Sequence, residues 1–216
     1  MKTCECLKWK YKGNGYLEAG KVANAIEAYD NALATNTQEQ EGIVLLMRAN
    51  AYMQRAASHR ERLTESVNQL TEMVPDIDTL HTVYEHLGTE PALSSSLFRR
   101  VLSDTAKQEA KFRQTQYRHG LYQYALLQAS QDSLRSTQLL PTYSDSWRMA
   151  GDILSALWKL KESEQYYVRA IELDNTLSES LLPLIKRLQK RQSLLDNARA
   201  YGWSEDMLRL ALDVAR

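Results

Sequence analysis

The sequence predicts an all-α protein built as an array of helical hairpins, because it has no strand-like alternation and its Gly and Pro residues fall between helix-length segments. Two stretches near opposite ends of the 216-residue chain also repeat one spacing of large and small residues, with steps of 4, 3, 9, 4 and 3. The matching residues are Trp9, Gly13, Tyr16, Ala25, Tyr29 and Ala32 in the first stretch, and Trp147, Gly151, Leu154, Ser163, Tyr167 and Ala170 in the second.

The first repeat is predicted over about residues 6–36, with its leading helix ending near Gly20. A third helix is expected to begin near Glu41, after a polar linker at 35–40. The small positions and closing proline of a partner helix return only at about 125–141, roughly 68 residues later than a standard repeat of about 34 would place them. The sequence therefore predicts a second repeat that is split by an insertion.

The placement of Gly and Pro predicts the form of this insertion, since either residue is costly inside a helix. Neither occurs in 43–74, and only Gly120 interrupts 92–140. Residues 58–123 are therefore predicted to form a long antiparallel helical hairpin with a tip at about 75–91. The expected seam between its arms is Leu63, Val67, Leu70 and Val74 on one arm and Leu97, Val101, Ala110, Tyr117, Leu121 and Tyr124 on the other. The apolar face of the tip is Ile77, Leu80, Tyr84 and Leu87.

The predicted organisation has four parts: 1–57 with the first repeat and the first helix of the second, 58–123 with the hairpin, 124–175 with the remaining repeat helices, and 176–216 with C-terminal capping helices. The third repeat is continuous over 144–174. A capping helix is expected over 176–192, and further short helices are expected to start at Ser193 and Ser204.

The repeated spacing resembles the tetratricopeptide repeat (TPR), a helical hairpin whose stacking forms a protein-binding surface. The run from Lys10 to Asn14, followed by 25–29, resembles the opening repeat of the Hop-like carboxylate-clamp co-chaperones. These adaptors hold the acidic C-terminal tails of the seventy- and ninety-kilodalton heat-shock chaperones. The resemblance implies that Lys10 and Asn14 contact a terminal carboxylate.

The chain departs from the clamp pattern at three positions. Met47 stands where that family has a second Asn, and Asp145 and Met149 stand where it has cations. These replacements disfavour a chaperone tail as the partner. The predicted peptide-binding groove consists of Lys10, Asn14, Leu17, Leu46, Asn50, Met53 and Arg148. An apolar segment of a partner is one expected occupant, and the inserted hairpin or the N-terminus of the same chain is the alternative.

Charge and motif content exclude several classes of function. Lys plus Arg equals Asp plus Glu at 27 each, so no net charge favours nucleic acid or anionic lipid. A basic stripe at Arg100, Lys107, Lys111 and Arg118 is diluted by acids and is interpreted as a solvated helix face. No apolar run is long enough for a membrane span, and no leader segment is recognised at the N-terminus.

No chemistry is predicted for the chain. The C-x-C pair formed by Cys4 and Cys6 lacks the second half of a metal site, so reduced thiols and a cytoplasmic location are expected. The alternatives are an organelle lumen and a piece of a longer protein. No phosphate-binding loop, nucleophile elbow or helical zinc motif occurs, so we expect neither enzymatic activity nor a cofactor.

Two functional hypotheses remain from the sequence. In the first, the chain is a scaffold of the co-chaperone or assembly-factor kind that binds another protein through the groove and the hairpin. In the second, it is a structural subunit of a larger assembly that docks through the hairpin tip. The tip is expected to matter for association at least as much as the groove.

Overall fold

The computed structural model describes residues 2–35, 40–73 and 106–200. Within these ranges the protein is helical and contains no strand, which confirms the all-α prediction. The helices are α1 (Lys2–Glu18), α2 (Val22–Ala34), α3 (Glu41–Met73), α4 (Ala106–Leu139), α5 (Ser144–Ala156), α6 (Leu160–Leu173) and α7 (Ser178–Ala200), with a short 3-10 helix (Asn175–Leu177) before α7.

The described residues fall into two compact units. Those within Met1–Ala56 and Tyr124–Gln192 form unit 1, and those within Ala57–Gln123 and Ser193–Arg216 form unit 2. Unit 1 contains α1, α2, α5, α6 and parts of α3, α4 and α7, so all seven residues of the predicted groove belong to it. The predicted tip residues Ile77, Leu80, Tyr84 and Leu87 lie outside the described residues.

The turns between α1 and α2 and between α5 and α6 are built in the same way. Lys21 N donates to Tyr16 O at 2.8 Å, and Lys159 N donates to Leu154 O at 2.9 Å. In both turns the preceding residue lies in the left-handed region, with φ of 70° at Gly20 and 60° at Trp158. These are the contacts of a Schellman motif, which satisfies the last carbonyls of a helix and reverses the chain.

Trp158 adopts a conformation that disfavours any residue with a Cβ, so packing must hold it there. The guanidinium of Arg191, on α7, lies 5.0 Å from the centre of the Trp158 ring. Gln189 Nε2, also on α7, donates to Glu164 Oε1 on α6 at 2.7 Å. These contacts dock α7 on the hairpin formed by α5 and α6.

The parts of α3 and α4 that belong to unit 1 contact each other, although more than 60 positions of the chain lie between these two parts. Ser136 Oγ donates to Gly42 O at 2.9 Å. Arg48 donates to both carboxylate oxygens of Asp132, each at 2.7 Å. Its remaining terminal nitrogen donates to Asp30 on α2. One guanidinium thus ties three helices of unit 1 together.

The Arg48 cluster stays charged despite its burial. Burial alone would lower the pKa of the guanidinium, but the hydrogen bonds and charges of Asp132 and Asp30 outweigh it and raise that pKa. The Asp132 side chain is only 9% exposed. A bidentate pair of this kind is sensitive to the loss of either partner, because a buried charge is then left uncompensated.

The seam predicted for the two long helices is only partly correct. In unit 2, Val67 of α3 is buried, as expected, and it is joined by Ser66, Phe112 and Thr115. Tyr117 of α4 is instead 67% exposed, and Tyr124, which belongs to unit 1, is 54% exposed. The sequence interpretation followed apolar residues alone, whereas small hydroxyl side chains fill part of this seam.

The C-terminal prediction also needs correction, because Ser193 does not begin a separate helix. Helix α7 continues through it to Ala200, and Pro183 lies inside the same helix. The reason is a buried stripe at helical spacing that runs past Ser193 without interruption. This stripe consists of Leu181, Ile185, Leu188, Arg191 and Leu195. The helix expected at Ser204 lies outside the described residues.

Candidate protein-binding surface

The hairpin of α1 and α2 and the hairpin of α5 and α6 position their helices with the same pair of residue types. A methyl group added at Gly13 would lie 2.5 Å from the Tyr29 ring, and one added at Gly151 would lie 2.6 Å from the Tyr167 ring. Each tyrosine therefore occupies the space that the missing Cβ leaves on the neighbouring helix. Tyr29 is fully buried and Tyr167 nearly so.

The hydroxyl group of each tyrosine donates a hydrogen bond to the residue that follows the glycine. Tyr29 OH donates to Asn14 Oδ1 at 2.8 Å, and Tyr167 OH donates to Asp152 Oδ1 at 2.7 Å. Burial, with a smaller contribution from the charge of Glu18, raises the pKa of Tyr29 to about 12. The spacing of 15 residues recurs in both pairs, and this recurrence is the sequence signal for the contact.

The seven residues of the predicted groove are neither fully buried nor fully exposed to solvent. Lys10, Asn14 and Leu17 on α1, Leu46, Asn50 and Met53 on α3, and Arg148 on α5 are all half-buried. Leu17 and Met53 pack against the core cluster of unit 1, as do Met47 and Met149. That cluster contains residues of α1, α2, α3, α4 and α5, namely Cys6, Ala25, Ile26, Tyr29, Ala32, Val44, Ala49, Ala51, Tyr52, Ala129 and Ile153. We call the seven half-buried residues the groove surface.

The polar members of the groove surface differ in their intramolecular contacts. Lys10 Nζ donates to Gln40 Oε1 at 3.2 Å, and the Oδ1 atom of Asn14 accepts from Tyr29. The side chain of Asn50 makes no hydrogen bond with another described residue. Its half-buried amide therefore retains donors and an acceptor for a ligand, and the amide nitrogen of Asn14 is a further donor.

Arg148, the α5 member of the groove surface, forms ion pairs with two carboxylates of its own helix. Arg148 Nε donates to Asp145 Oδ1 at 3.1 Å, and Arg148 Nη1 donates to Asp152 Oδ2 at 3.3 Å. Two carboxylates therefore surround one guanidinium. Burial raises the pKa of Asp152, against the lowering effect of the Tyr167 hydrogen bond and of Arg148.

An aromatic and basic surface on α1 was not singled out in the sequence. Lys12 Nζ lies 4.5 Å from the ring centre of Trp9 and 5.7 Å from that of Tyr16. Lys10 Nζ lies 5.1 Å from the ring centre of Tyr11, which is 64% exposed. The alternation of lysines with aromatics over residues 8–12 was the available signal.

The basic stripe predicted on the return arm is partly used inside unit 2. Arg118 Nη1 donates to Arg62 O at 2.7 Å and also to Ser66 Oγ. Lys111 Nζ donates to Gln69 and to Gln114. Arg100 lies outside the described residues. Lys111 and Arg118 therefore stabilise the contact between α3 and α4.

Reactive groups contribute little to the described surface. Cys6 is buried, and burial raises the pKa of its thiol. Within 2–35, 40–73 and 106–200, no three His, Cys, Asp or Glu side chains lie close enough to hold a metal ion. No helix of the same ranges combines the length and the apolar character that crossing a membrane requires.

Comparison of the chain with known protein families gave no match, and comparison with curated proteins gave none either.

Proposed function

We propose that this chain is a non-enzymatic protein-binding adaptor of the TPR type, and that the groove surface holds a segment of its partner. The observation that carries the proposal is the shared half-burial of the seven groove residues, two of which pack on one continuous core cluster. Side chains in this state are held in place by the core and still offer an edge to a ligand. Such preorganisation reduces the entropy cost of binding.

The assignment to TPR-type hairpins draws support from the two glycine and tyrosine pairs. The pairs Gly13 with Tyr29 and Gly151 with Tyr167 have the same spacing and nearly equal closest distances. The following turns, at Gly20 and Trp158, use the same hydrogen bonds. Two hairpins at opposite ends of the sequence thus repeat one packing solution, as repeat proteins do.

A split second repeat draws support from the contacts between α3 and α4 in unit 1. Tyr52 and Ala129 belong to the same core cluster, although 77 positions separate them. The hydrogen bond from Ser136 to Gly42 joins the same two helices. In this interpretation residues 58–123 are an inserted hairpin, which remains a proposal.

The partner chemistry follows from the side chains that line the groove surface. Three of the seven are apolar, and Met47 and Met149 lie half-buried on the same core cluster. Methionine side chains are flexible and polarizable, so they adapt to the shape of an apolar ligand. We therefore expect an apolar segment with hydrogen-bonding groups near Asn50, in preference to the acidic tail of a chaperone.

Site-specific photo-crosslinking tests the proposal. A benzoylphenylalanine at Asn50 of the full chain should crosslink to one contiguous segment of a partner when native lysate is irradiated. The matched control carries the same residue at Glu27, which is exposed on α2. Mass spectrometry identifies the crosslinked peptides.

Two results would contradict the proposed function. Equal crosslinking of the same segment at Asn50 and Glu27 would show that the groove surface is not the binding site. Crosslinks from Asn50 only to residues of this chain, within 58–123 or at the N-terminus, would show that the surface is occupied intramolecularly. The second outcome would favour the alternative of a subunit that docks through residues 75–91.

A further inference from the structure

We infer that the groove surface selects a segment with mixed charge: one acidic end, an apolar centre and one basic end. This inference rests on the proposed function and specifies its ligand class. It arises from the charges at the two ends of the groove surface, on α1 and on α5, and from the uncharged residues of α3 between them.

The α1 end presents a cation that no carboxylate of the described residues neutralises. Lys10 is half-buried, and its Nζ atom donates to the neutral amide oxygen of Gln40. No described carboxylate lies within ion-pair distance of it. The neighbouring Asn14 adds amide donors, so an acidic side chain or a terminal carboxylate of a ligand finds both charge and hydrogen bonds here.

The α5 end presents a net negative charge. Asp145 and Asp152 flank Arg148, so the three side chains sum to one negative charge at neutral pH. Asp145 is 47% exposed, whereas Arg148 is 35% exposed and already accommodates both carboxylates. A basic group of a ligand can approach Asp145 without displacing a hydrogen bond to the backbone.

The residues between these ends carry no charge. Leu46, Asn50 and Met53 line α3, and Met47 and Met149 replace the amide and the cation that the carboxylate-clamp pattern would require. A second acidic group on the ligand would lose hydration over these thioethers without gaining a partner. The surface therefore opposes a ligand that is acidic along its whole length.

The length of the selected segment follows from helix packing. In the proposed TPR order α3 lies between α1 and α5. Neighbouring helix axes lie about 8–10 Å apart, so these two steps cover roughly 16–20 Å. An extended chain advances about 3.3 Å per residue. About five or six residues therefore separate the acidic and the basic end of the ligand.

The test uses three synthetic peptide libraries with the same randomised centre of five apolar residues. The first has Glu at one end and Lys at the other, the second has Glu at both ends, and the third has Lys at both ends. Immobilised full-length chain captures peptides from an equimolar mixture, and mass spectrometry counts them. We expect roughly tenfold enrichment of the mixed-charge library over each of the others, since each of those loses one partly exposed charge contact and places a like charge in its stead.

Charge-reversal variants distinguish recognition of the peptide charges by the groove surface from nonspecific binding of peptides. Lys10→Glu should move the preference to the library with Lys at both ends, and Asp145→Lys should move it to the library with Glu at both ends. Lys161→Glu, at an exposed position on α6 outside the groove surface, is the control and should leave the preference unchanged. Circular dichroism verifies that each variant keeps its helicity.

The outcomes separate the inference from the function on which it rests. Equal capture of all three libraries would overturn the mixed-charge inference and leave the adaptor proposal intact. Capture of none of them above a library with a polar centre would overturn the groove as a peptide-binding surface. A preference that Lys10→Glu and Asp145→Lys do not move would place the recognition of charge elsewhere on the chain.

Discussion

Replacement of Gly13 by alanine tests the close packing of α1 on α2. The new methyl group would lie 2.5, 2.7 and 2.9 Å from the Cε1, Cδ1 and Cζ atoms of Tyr29. Ordinary carbon contacts are about 3.5–4.0 Å, so the ring would have to move by about 1 Å. Tyr29 is fully buried, and its hydroxyl group is held by Asn14, so the ring has little freedom to move.

The magnitude combines two opposing effects. Overpacking of a rigid site costs about 3 kcal/mol at the upper end of its usual range. Alanine in place of glycine inside a helix returns about 1 kcal/mol. The expected net loss is about 2 kcal/mol, or a melting temperature lower by roughly 4–8 °C for a chain of this size.

Gly15 provides a matched control two residues further along α1. A methyl group added there meets no atom within 4 Å. Gly15→Ala should therefore stabilise the chain by about 0.5–1 kcal/mol through helix propensity alone. Thermal unfolding followed by far-UV circular dichroism compares the two variants. Equal melting temperatures for Gly13→Ala and Gly15→Ala would refute the close packing of α1 on α2.

Three further predictions address charge, pH and ligand choice. Arg48→Ala should lower the free energy of unfolding in urea by about 3 kcal/mol, because it leaves Asp132 buried without its partner. The control Arg169→Ala, which breaks an exposed pair with Glu172, should change it by less than about 0.5 kcal/mol. Equal losses would contradict the importance of the buried pair. The pKa of Tyr29 is raised to about 12, so the stability that its protonated form contributes is complete below about pH 10 and is lost as the pH rises through 12. This loss amounts to about 3 kcal/mol. In pH-dependent unfolding, Tyr29→Phe should therefore lose less stability at alkaline pH than the wild type. A Glu-Glu-Val-Asp peptide should bind weakly or not at all in calorimetry because Asp145 and Met149 stand in place of cations; low-micromolar affinity that Lys10→Ala abolishes would restore the carboxylate clamp.

Helix positions were predictable from the sequence where apolar periodicity and helix-breaking residues agreed. The start of α3 at Glu41 and the end of α1 near Gly20 both follow from such signals, and the structure agrees with them. The helix start predicted at Ser193 is wrong because a capping residue is also tolerated inside a helix when the buried stripe continues. Local signals alone do not show which of the two applies.

Side-chain contacts between distant helices were less predictable. No sequence pattern indicated that Arg48 pairs with Asp132, 84 positions away. Ser66 and Thr115 are buried in unit 2 although hydroxyl residues are usually exposed, and Tyr117 is exposed although tyrosine often packs in seams. The groove residues could be chosen because their register follows from the repeat, whereas their partners depend on tertiary contacts.

Methyl spectroscopy of methionine tests the central claim most directly, because the chain carries its own probes. Of its six methionines, Met47, Met53 and Met149 lie half-buried against the core cluster of unit 1 beside or within the groove surface. The full chain, labelled with carbon-13 at the methionine methyl groups, is titrated with the tightest-binding peptide of the three libraries. Methionine-to-leucine variants assign the signals.

The account predicts that the signals of Met47, Met53 and Met149 shift together and saturate at one peptide per chain. A peptide from the library with Lys at both ends, added at the same concentration, controls for nonspecific effects and should shift these three signals much less. Saturating shifts confined to Met73 or Met207, with those of Met47, Met53 and Met149 unchanged, would contradict the groove surface as the site that holds a partner.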